Sequence, residues 1–180
     1  MSSESVKILL TGLPGCGKTT SIIEVVKRIK DMRLAGFYTQ EIRQGNVRQG
    51  FSWTRLDGRT GILAHVDIRG QLRVGRYGVD VTTFERSVVP ILDPAQTDVD
   101  FFVIDEIGKM ECLSKDFVAA IRNLFASNKT VLATVAQKGS GLISEIKIRP
   151  DVKLFTLTQQ SRDKIVSDIL EMLSDLKTHQ

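Results

Sequence analysis

The sequence predicts an α/β protein: a mostly parallel sheet flanked by helices, with an antiparallel hairpin region inserted near its middle. Three observations carry that expectation. Short apolar runs alternate with helical stretches, which is the pattern of βα units around a parallel sheet. A glycine-rich stretch, Gly12-Leu13-Pro14-Gly15-Cys16-Gly17-Lys18-Thr19, follows the first apolar run and leads into the first helical one. From Arg43 to Arg76 the chain turns polar and rich in Gly and Arg, with period-two pieces such as Phe51-Ser52-Trp53.

Residues 6–11 (VKILLT) read as a buried strand. A helix follows at roughly 18–32, with Ile22, Ile23, Val25, Val26 and Ile29 on its inner face. Residues 34–42 form a second strand. Gly45-Asn46 and Asp57-Gly58 are turn pairs, so two or three antiparallel strands are expected between about 43 and 76. Thr82-Thr83-Phe84-Glu85 has the spacing of a capping box for a helix reaching Leu92, which Pro90 kinks or ends. Phe101-Phe102-Val103-Ile104-Asp105 is a continuous apolar run closed by an acid, hence a central strand. Ser114 can cap a helix with Phe117, Val118, Ile121, Leu124 and Phe125 inside. Residues 130–136 and 152–157 are two more strands, and 161–176 closes the chain as an amphipathic helix. No linker interrupts this order, and one domain over residues 1–180 is expected.

Length and composition agree with that reading. A chain of 180 residues with 42% hydrophobic content can fill a core without disulfides or metals. No run of about 18 apolar residues exists, so no membrane partner is expected. The stretch beginning Met1-Ser2-Ser3-Glu4 lacks the layout of a secretory signal, and two cysteines, Cys16 and Cys112, cannot form a stapled framework. A cytoplasmic protein is the expectation. The 25 Lys and Arg against 21 Asp and Glu leave a net charge of +4, a weak footprint for nucleic acid. Residues 41–80 hold seven Arg, no Lys and four acids, so most of the surplus sits in the inserted hairpins. Arginine suits rigid contacts to phosphate or carboxylate, which points to a flap beside a small anionic ligand.

The glycine-rich stretch matches G-x-x-x-x-G-K-[ST]. Successive backbone N–H groups must turn inward around a phosphate, and Gly12, Gly15 and Gly17 permit that path. The helix that follows aims its N-terminal dipole at the same anion. Lys18 then reaches the β- and γ-phosphates and the Thr19 hydroxyl ligates Mg²⁺. Thr20 closes the expected nucleotide-binding set on this side. Cys16 fills a free position of the motif, near a helix N-terminus.

A phosphate loop needs a second carboxylate to hold Mg²⁺ through water, and Asp105 at a strand end suits that role. Glu106, directly after it, is the candidate to polarise the attacking water as general base. Asp105-Glu106-Ile107-Gly108 also fits the D-x-x-G switch of GTPases. The matching guanine signal is missing, because Asn128-Lys129-Thr130-Val131 lacks the Asp of N-K-x-D. Thr134, a polar residue in an apolar strand, is a candidate to sense the γ-phosphate or the water, or simply a β-branched strand former. A second cation on the developing γ-phosphate charge is expected, with Lys109, Arg149 and Arg162 as candidates. The loop Lys138-Gly139-Ser140-Gly141 is a candidate lid that would deliver Arg149. Glu41 and Arg43, at the end of the second strand, either contact substrate or bracket a hairpin. Phe51, Trp53 and Tyr77 either stack on a base or pack the hairpins. His65 and His179 show no metal-ligand spacing.

Several stretches together resemble the thermophile-type nucleoside-triphosphatases, essentially end to end. They are the glycine loop, Gly36-Phe37-Tyr38-Thr39-Gln40-Glu41-Ile42-Arg43, Gly50-Phe51, Val74-Gly75-Arg76-Tyr77, Asp105-Glu106-Ile107-Gly108-Lys109-Met110-Glu111 and Ser161-Arg162-Asp163. The resemblance implies a three-layer phosphate-loop (P-loop) fold of the additional-strand, catalytic-glutamate type. It implies Mg²⁺-dependent hydrolysis of nucleoside triphosphates to diphosphates with loose base preference. The nucleotide-contacting segments it implies are residues 12–19 and Phe101, Phe102, Val103, Ile104, Asp105, Glu106, Ile107 and Gly108. Cys16 and Cys112 depart from the commoner Val and Leu.

The expected protein is therefore a monomeric Mg²⁺-dependent hydrolase of nucleoside triphosphates. Lys18 and backbone amides hold phosphate, Thr19 and Asp105 place the metal, and Glu106 activates water. Two alternatives keep the loop but change the outcome. A kinase for a nucleoside or small metabolite would use Glu41 to bind the acceptor hydroxyl. A nucleotide-gated binding module would use the Arg-rich hairpins to recognise a partner or RNA.

Overall fold

The computed structural model describes residues 5–30 and 32–178. His179 and the first four residues, on which part of the leader expectation rests, lie outside the described residues. Among the described residues, nine strands and five α-helices follow one another as β1 (Lys7–Thr11), α1 (Lys18–Arg28), β2 (Leu34–Gln44), β3 (Val47–Arg55), β4 (Thr60–His65), β5 (Arg73–Val74), β6 (Tyr77–Val79), α2 (Val81–Val88), β7 (Phe101–Ile107), α3 (Lys115–Ala126), β8 (Thr130–Val135), α4 (Leu142–Lys147), β9 (Val152–Thr156) and α5 (Arg162–Thr178).

All nine strands join one sheet in the order β5-β6-β4-β3-β2-β7-β8-β1-β9. The neighbours from β2 to β9 pair in parallel. Those from β2 out to β5 pair antiparallel. The sheet is therefore mixed rather than mostly parallel. The reason is the size of the insertion: it contributes four strands, not two or three, and β2 runs on to Gln44 to pair with β3. β5 and β6 are too short to leave a period-two signature.

Alternation along the parallel strands splits the core into two layers. Leu9, Phe102 and Ile104 face one cluster with Phe84, Phe117 and Ile143, under α2, α3 and α4. Ile8, Leu10, Phe101 and Val103 face the other with Ile22, Val25 and Ile169, under α1 and α5. Both sets are fully buried, because a strand covered on both faces has no polar side. Phe37, Phe84 and Phe117 meet edge-on or tilted, with centroids 5.4–6.1 Å apart, a geometry that adds to their burial.

Local differences have local causes. α1 stops at Arg28, four residues early, because Ile29 turns extended while its N–H still bonds the Val25 carbonyl. The cap of α2 is Asp80, whose carboxylate accepts the Thr83 N–H at 3.0 Å. No Thr-to-Glu box forms, since Glu85 is taken by the Ser114 hydroxyl at 2.7 Å. Pro90 ends α2, and the chain continues as a 3₁₀ turn over Val89–Leu92. Ser114 caps α3 by accepting the Phe117 N–H at 2.9 Å. Among the described residues no helix is long and apolar enough to cross a membrane.

Candidate active site

Parallel strands deliver their C-terminal ends to one edge of the sheet, the usual place for ligands in α/β proteins. Here that edge carries the loop after β1, Thr39 to Glu41 of β2, Asp105 and Glu106 of β7, and the segment after β8. Together with β3 they enclose a cleft of about 800 Å³.

The glycine loop has the backbone its motif requires. Gly15 and Gly17 take φ of 78° and 98°, where a side chain would be strained. Gly17 is also the N-cap of α1. Gly12, Pro14, Gly15, Gly17, Lys18 and Thr19 line the cleft, as does Thr20. Leu13 points outward at 63% exposure, whereas Cys16 is buried in the core beneath the loop. Lys18 reaches back to donate to the Gly12 carbonyl at 3.2 Å, which parks its ammonium across the mouth of the loop.

Asp105 is the most constrained acid here, at 1% exposure. One oxygen accepts the Thr134 hydroxyl at 2.5 Å. The other accepts the Thr19 hydroxyl at 2.7 Å and the Thr39 N–H at 3.3 Å. Burial pushes its pKa up, and these donors, with Lys18, oppose the shift. Thr134 thus holds Asp105 instead of facing ligand, because β8 pairs directly with β7 and sits fully buried.

Glu106 lines the cleft, and its carboxylate lies 3.9 Å from the Lys18 ammonium. Burial raises its pKa; Lys18 and Lys147 pull the other way, and Asp105 adds to the rise. The Asp105–Glu106 peptide is cis, and β7's register against β8 shifts between Ile104 and Ile107. Behind Glu106 stands a second acid, Glu111, 5% exposed. Gly108 separates the two, since a Cβ there would sit 2.9 Å from a Glu111 oxygen and 3.0 Å from a Glu106 oxygen. Burial first, then repulsion from Glu106, lifts Glu111 to a pKa of about 8.

Not every expected contact residue reaches the cleft. Phe101, Phe102, Val103, Ile104 and Ile107 are core side chains with zero exposure, because β7 is covered on both faces. Gly108 packs between the two glutamates. Lys109 is exposed and lies outside the cleft lining. Arg149 sits at the opposite end of the sheet, just before β9, bonded to Asp151 and to the Phe125 carbonyl. The loop at residues 138–141 therefore does not deliver it. Arg162 packs against the loop, its Cδ 3.1 Å from where a Gly17 Cβ would be, but its Nε bonds Asp163 and it does not line the cleft. Glu41 lines the cleft, but Arg43 is bonded to Glu41 and to the Asn46 carbonyl.

The hairpin wall brings Thr39, Gln40, the flap arginine Arg48 and the stacking candidate Phe51 into the cleft. Arg43 and Arg48 face each other in the β2–β3 register, with Glu41 bonded by both. Burial raises the Glu41 pKa, but the two guanidinium groups outweigh it and hold it below the usual value. On the far side, Lys147 donates to the carbonyls of Ala136 and Gln137 at 2.5 and 2.8 Å and steadies the segment after β8. Phe51 packs edge-on against Tyr77 at 5.4 Å, and Trp53 is core. His65 lies 3.3 Å from the Asp67 carboxylate.

With this geometry in place, the sequence matches the family model described as NTPase over residues 7–170. The chain belongs to the NTPase family. It is 40% identical over 168 residues to nucleoside-triphosphatase THEP1 of Thermotoga maritima, covering 93% of this chain and 95% of that one. It is 39% identical over 178 residues to human cancer-related nucleoside-triphosphatase, covering 91% and 94%. Among solved structures, the crystal structure of THEP1 from Aquifex aeolicus superposes with a TM-score of 0.85 at 36% identity, over 93% of this chain and 99% of that one. The solution structure of the human NTPase gives 0.79 at 36% identity, over 95% and 98%.

Proposed function

We propose that this NTPase-family chain hydrolyses nucleoside 5′-triphosphates to diphosphate and inorganic phosphate, with Mg²⁺ and loose base preference, on a P-loop fold of the catalytic-glutamate type. The observation that carries the reading is the meeting of Lys18, Thr19 and Glu106 in one cleft, with Asp105 locked behind Thr19 at 2.7 Å. The curated relatives bear the name nucleoside-triphosphatase, which specifies no base.

The donor set suits a hard cation: a hydroxyl and a carboxylate, both oxygen, side by side. Thr19 would ligate Mg²⁺ directly and Asp105 through water. Bound there, the ion would neutralise charge on the β- and γ-phosphate oxygens. The loop amides and Lys18 hold the phosphate chain. Glu106 accepts a proton from the attacking water, whose oxygen forms the new bond to the γ-phosphorus. The bridging P–O bond breaks, and its electron pair leaves on the β-phosphate of the diphosphate. Burial makes Glu106 a stronger base than an exposed glutamate, and the nearby Lys18 opposes that rise.

The alternatives fit the geometry less well. A kinase acceptor would need Glu41 free, yet Arg43 of the same strand holds it. A hairpin surface for RNA would need open arginines, yet Arg55, Arg73 and Arg76 donate to backbone carbonyls. The test is phosphate release from ATP, GTP, CTP and UTP without any acceptor, with Mg²⁺ and with EDTA. The expected result is comparable release from all four with Mg²⁺ and little with EDTA. Release that begins only when a hydroxyl acceptor is added would replace hydrolysis with transfer.

A further inference from the structure

We propose that Arg48, on the inserted hairpin, is the second catalytic cation of the cleft: an arginine supplied in cis that stabilises the γ-phosphate in the transition state. The inference rests on the hydrolytic reading above and names a residue for it. Hydrolysis spreads charge over the γ-phosphate oxygens, and Lys18 answers only part of it. The cations suggested by motif position stand elsewhere. Arg149 is at the other end of the sheet, Lys109 lies outside the cleft, and Arg162, though packed against Gly17, is bonded to Asp163 and does not line the cleft. Among the described residues, the cations lining the cleft besides Lys18 are Arg48 and Lys138.

Geometry selects Arg48. It stands on a paired strand, opposite Arg43, while Lys138 belongs to a loop. β3 lies two strands from β7, about 10 Å at ordinary strand spacing. Its guanidinium rests over the Phe51 ring at 5.3 Å, and Phe51 lines the same cleft. One of its terminal nitrogens lies 2.5 Å from Glu41. Its Nε is buried without a hydrogen-bond partner, a donor left waiting for an acceptor. In this arrangement the Glu41 carboxylate occupies the role that phosphate oxygens would take. With triphosphate bound, the planar fork of Arg48 exchanges that carboxylate for γ-phosphate oxygens, a bidentate match that a lysine cannot reproduce. Arg48 donates hydrogen bonds only. The proton of water still goes to Glu106 and the leaving electron pair to the β-phosphate.

The experiment compares wild type, Arg48→Ala and Arg48→Lys by steady-state phosphate release from ATP with Mg²⁺. Affinities for ADP alone and for ADP with aluminium fluoride, a transition-state mimic, are measured beside it. Arg48→Ala should lose on the order of 1,000-fold in kcat, the low side of what a catalytic arginine supplies, with KM changed only a few-fold. It should keep ADP affinity and lose the extra affinity that aluminium fluoride confers. Arg48→Lys, which keeps the charge and the stem, should recover only part of the loss. A wild type that releases phosphate beside an Arg48→Ala that does so within threefold overturns the inference alone. Equal losses of ADP and ADP–aluminium fluoride affinity in both variants would also overturn it, by making Arg48 a ground-state or structural residue. A wild type that releases no phosphate overturns the hydrolytic reading and, with it, this one.

Discussion

The two halves of the sheet solve different problems with the same nine-stranded surface. In the parallel half, the central strands β1, β7 and β8 are buried on both faces and carry few polar side chains. Asp105 there has three donors. In the antiparallel half, from β3 to β5, charge is abundant and half exposed, and most arginines are bonded to acids or carbonyls of the same region. The difference teaches where precision comes from. The parallel half fixes atoms by burial, so its chemistry is local and rigid. The antiparallel half fixes a sign of charge by composition, and only its register decides which arginine meets the ligand.

β2, which pairs in parallel with β7 on one side and antiparallel with β3 on the other, joins the halves and is the most sensitive place to break the comparison. Gly36 of β2 has φ of 132°, and a Cβ there would overlap the Val103 carbonyl oxygen of β7. Gly36→Ala should cost several kcal/mol, roughly 3 or more, or prevent folding; urea unfolding measures it. A loss below about 1 kcal/mol would mean that the halves are not locked where β2 meets β7.

Glu111 sharpens the parallel half's dependence on burial. Its carboxyl ionises near 4.5 when unfolded and near 8 when folded. Between those values the folded chain keeps a proton that the unfolded chain has lost. Its stabilising contribution is therefore full below 4.5 and disappears as pH rises to about 8, an effect on the order of a few kcal/mol. Melting temperature should fall across that window, and Glu111→Gln should flatten the fall. Identical slopes in both proteins would remove Glu111 from the account.

Thr134→Val takes one donor from Asp105 while conserving shape. The unmet carboxylate oxygen should cost about 1–3 kcal/mol in stability, seen by denaturation. Turnover should drop about tenfold, as expected when a carboxylate that would orient a metal loses a fixing hydrogen bond. At the small end, Arg73→Gln in the hairpins should change stability by less than about 0.5 kcal/mol and leave turnover as it was, since Arg73 bonds only local carbonyls. A larger effect there would blur the division between halves.

Much of the parallel half is legible in the sequence because its signals are contiguous. The glycine loop, the FFVID run ending in an acid, and Ser114 three residues before Phe117 all act over a few positions. The Asp105 partners are less legible: Thr134 stands out as polar in an apolar strand, but only strand order assigns its hydroxyl. Phe101 to Ile104 illustrate the opposite error, since proximity to Asp105 in sequence does not bring a strand's side chains into a cleft. Glu111 reads as one more acid in a turn until its burial is seen. In the hairpins, composition locates the charge without locating its use. Arg48 meets Glu41 through antiparallel pairing seven residues apart, and no motif encodes that meeting. Asp80 takes the cap of α2 because it lies directly before the helix, while the Thr-to-Glu spacing lies one turn inside.

The central claim is that Glu106 activates water in a cleft that binds nucleoside triphosphate. Its most direct test is single-turnover phosphate release by Glu106→Gln with ATP and Mg²⁺, beside a nucleotide-affinity measurement. The account predicts ATP affinity within a few-fold of wild type and turnover reduced by about 10²–10⁴, the range for removing a positioned base. Turnover within a few-fold of wild type would contradict it.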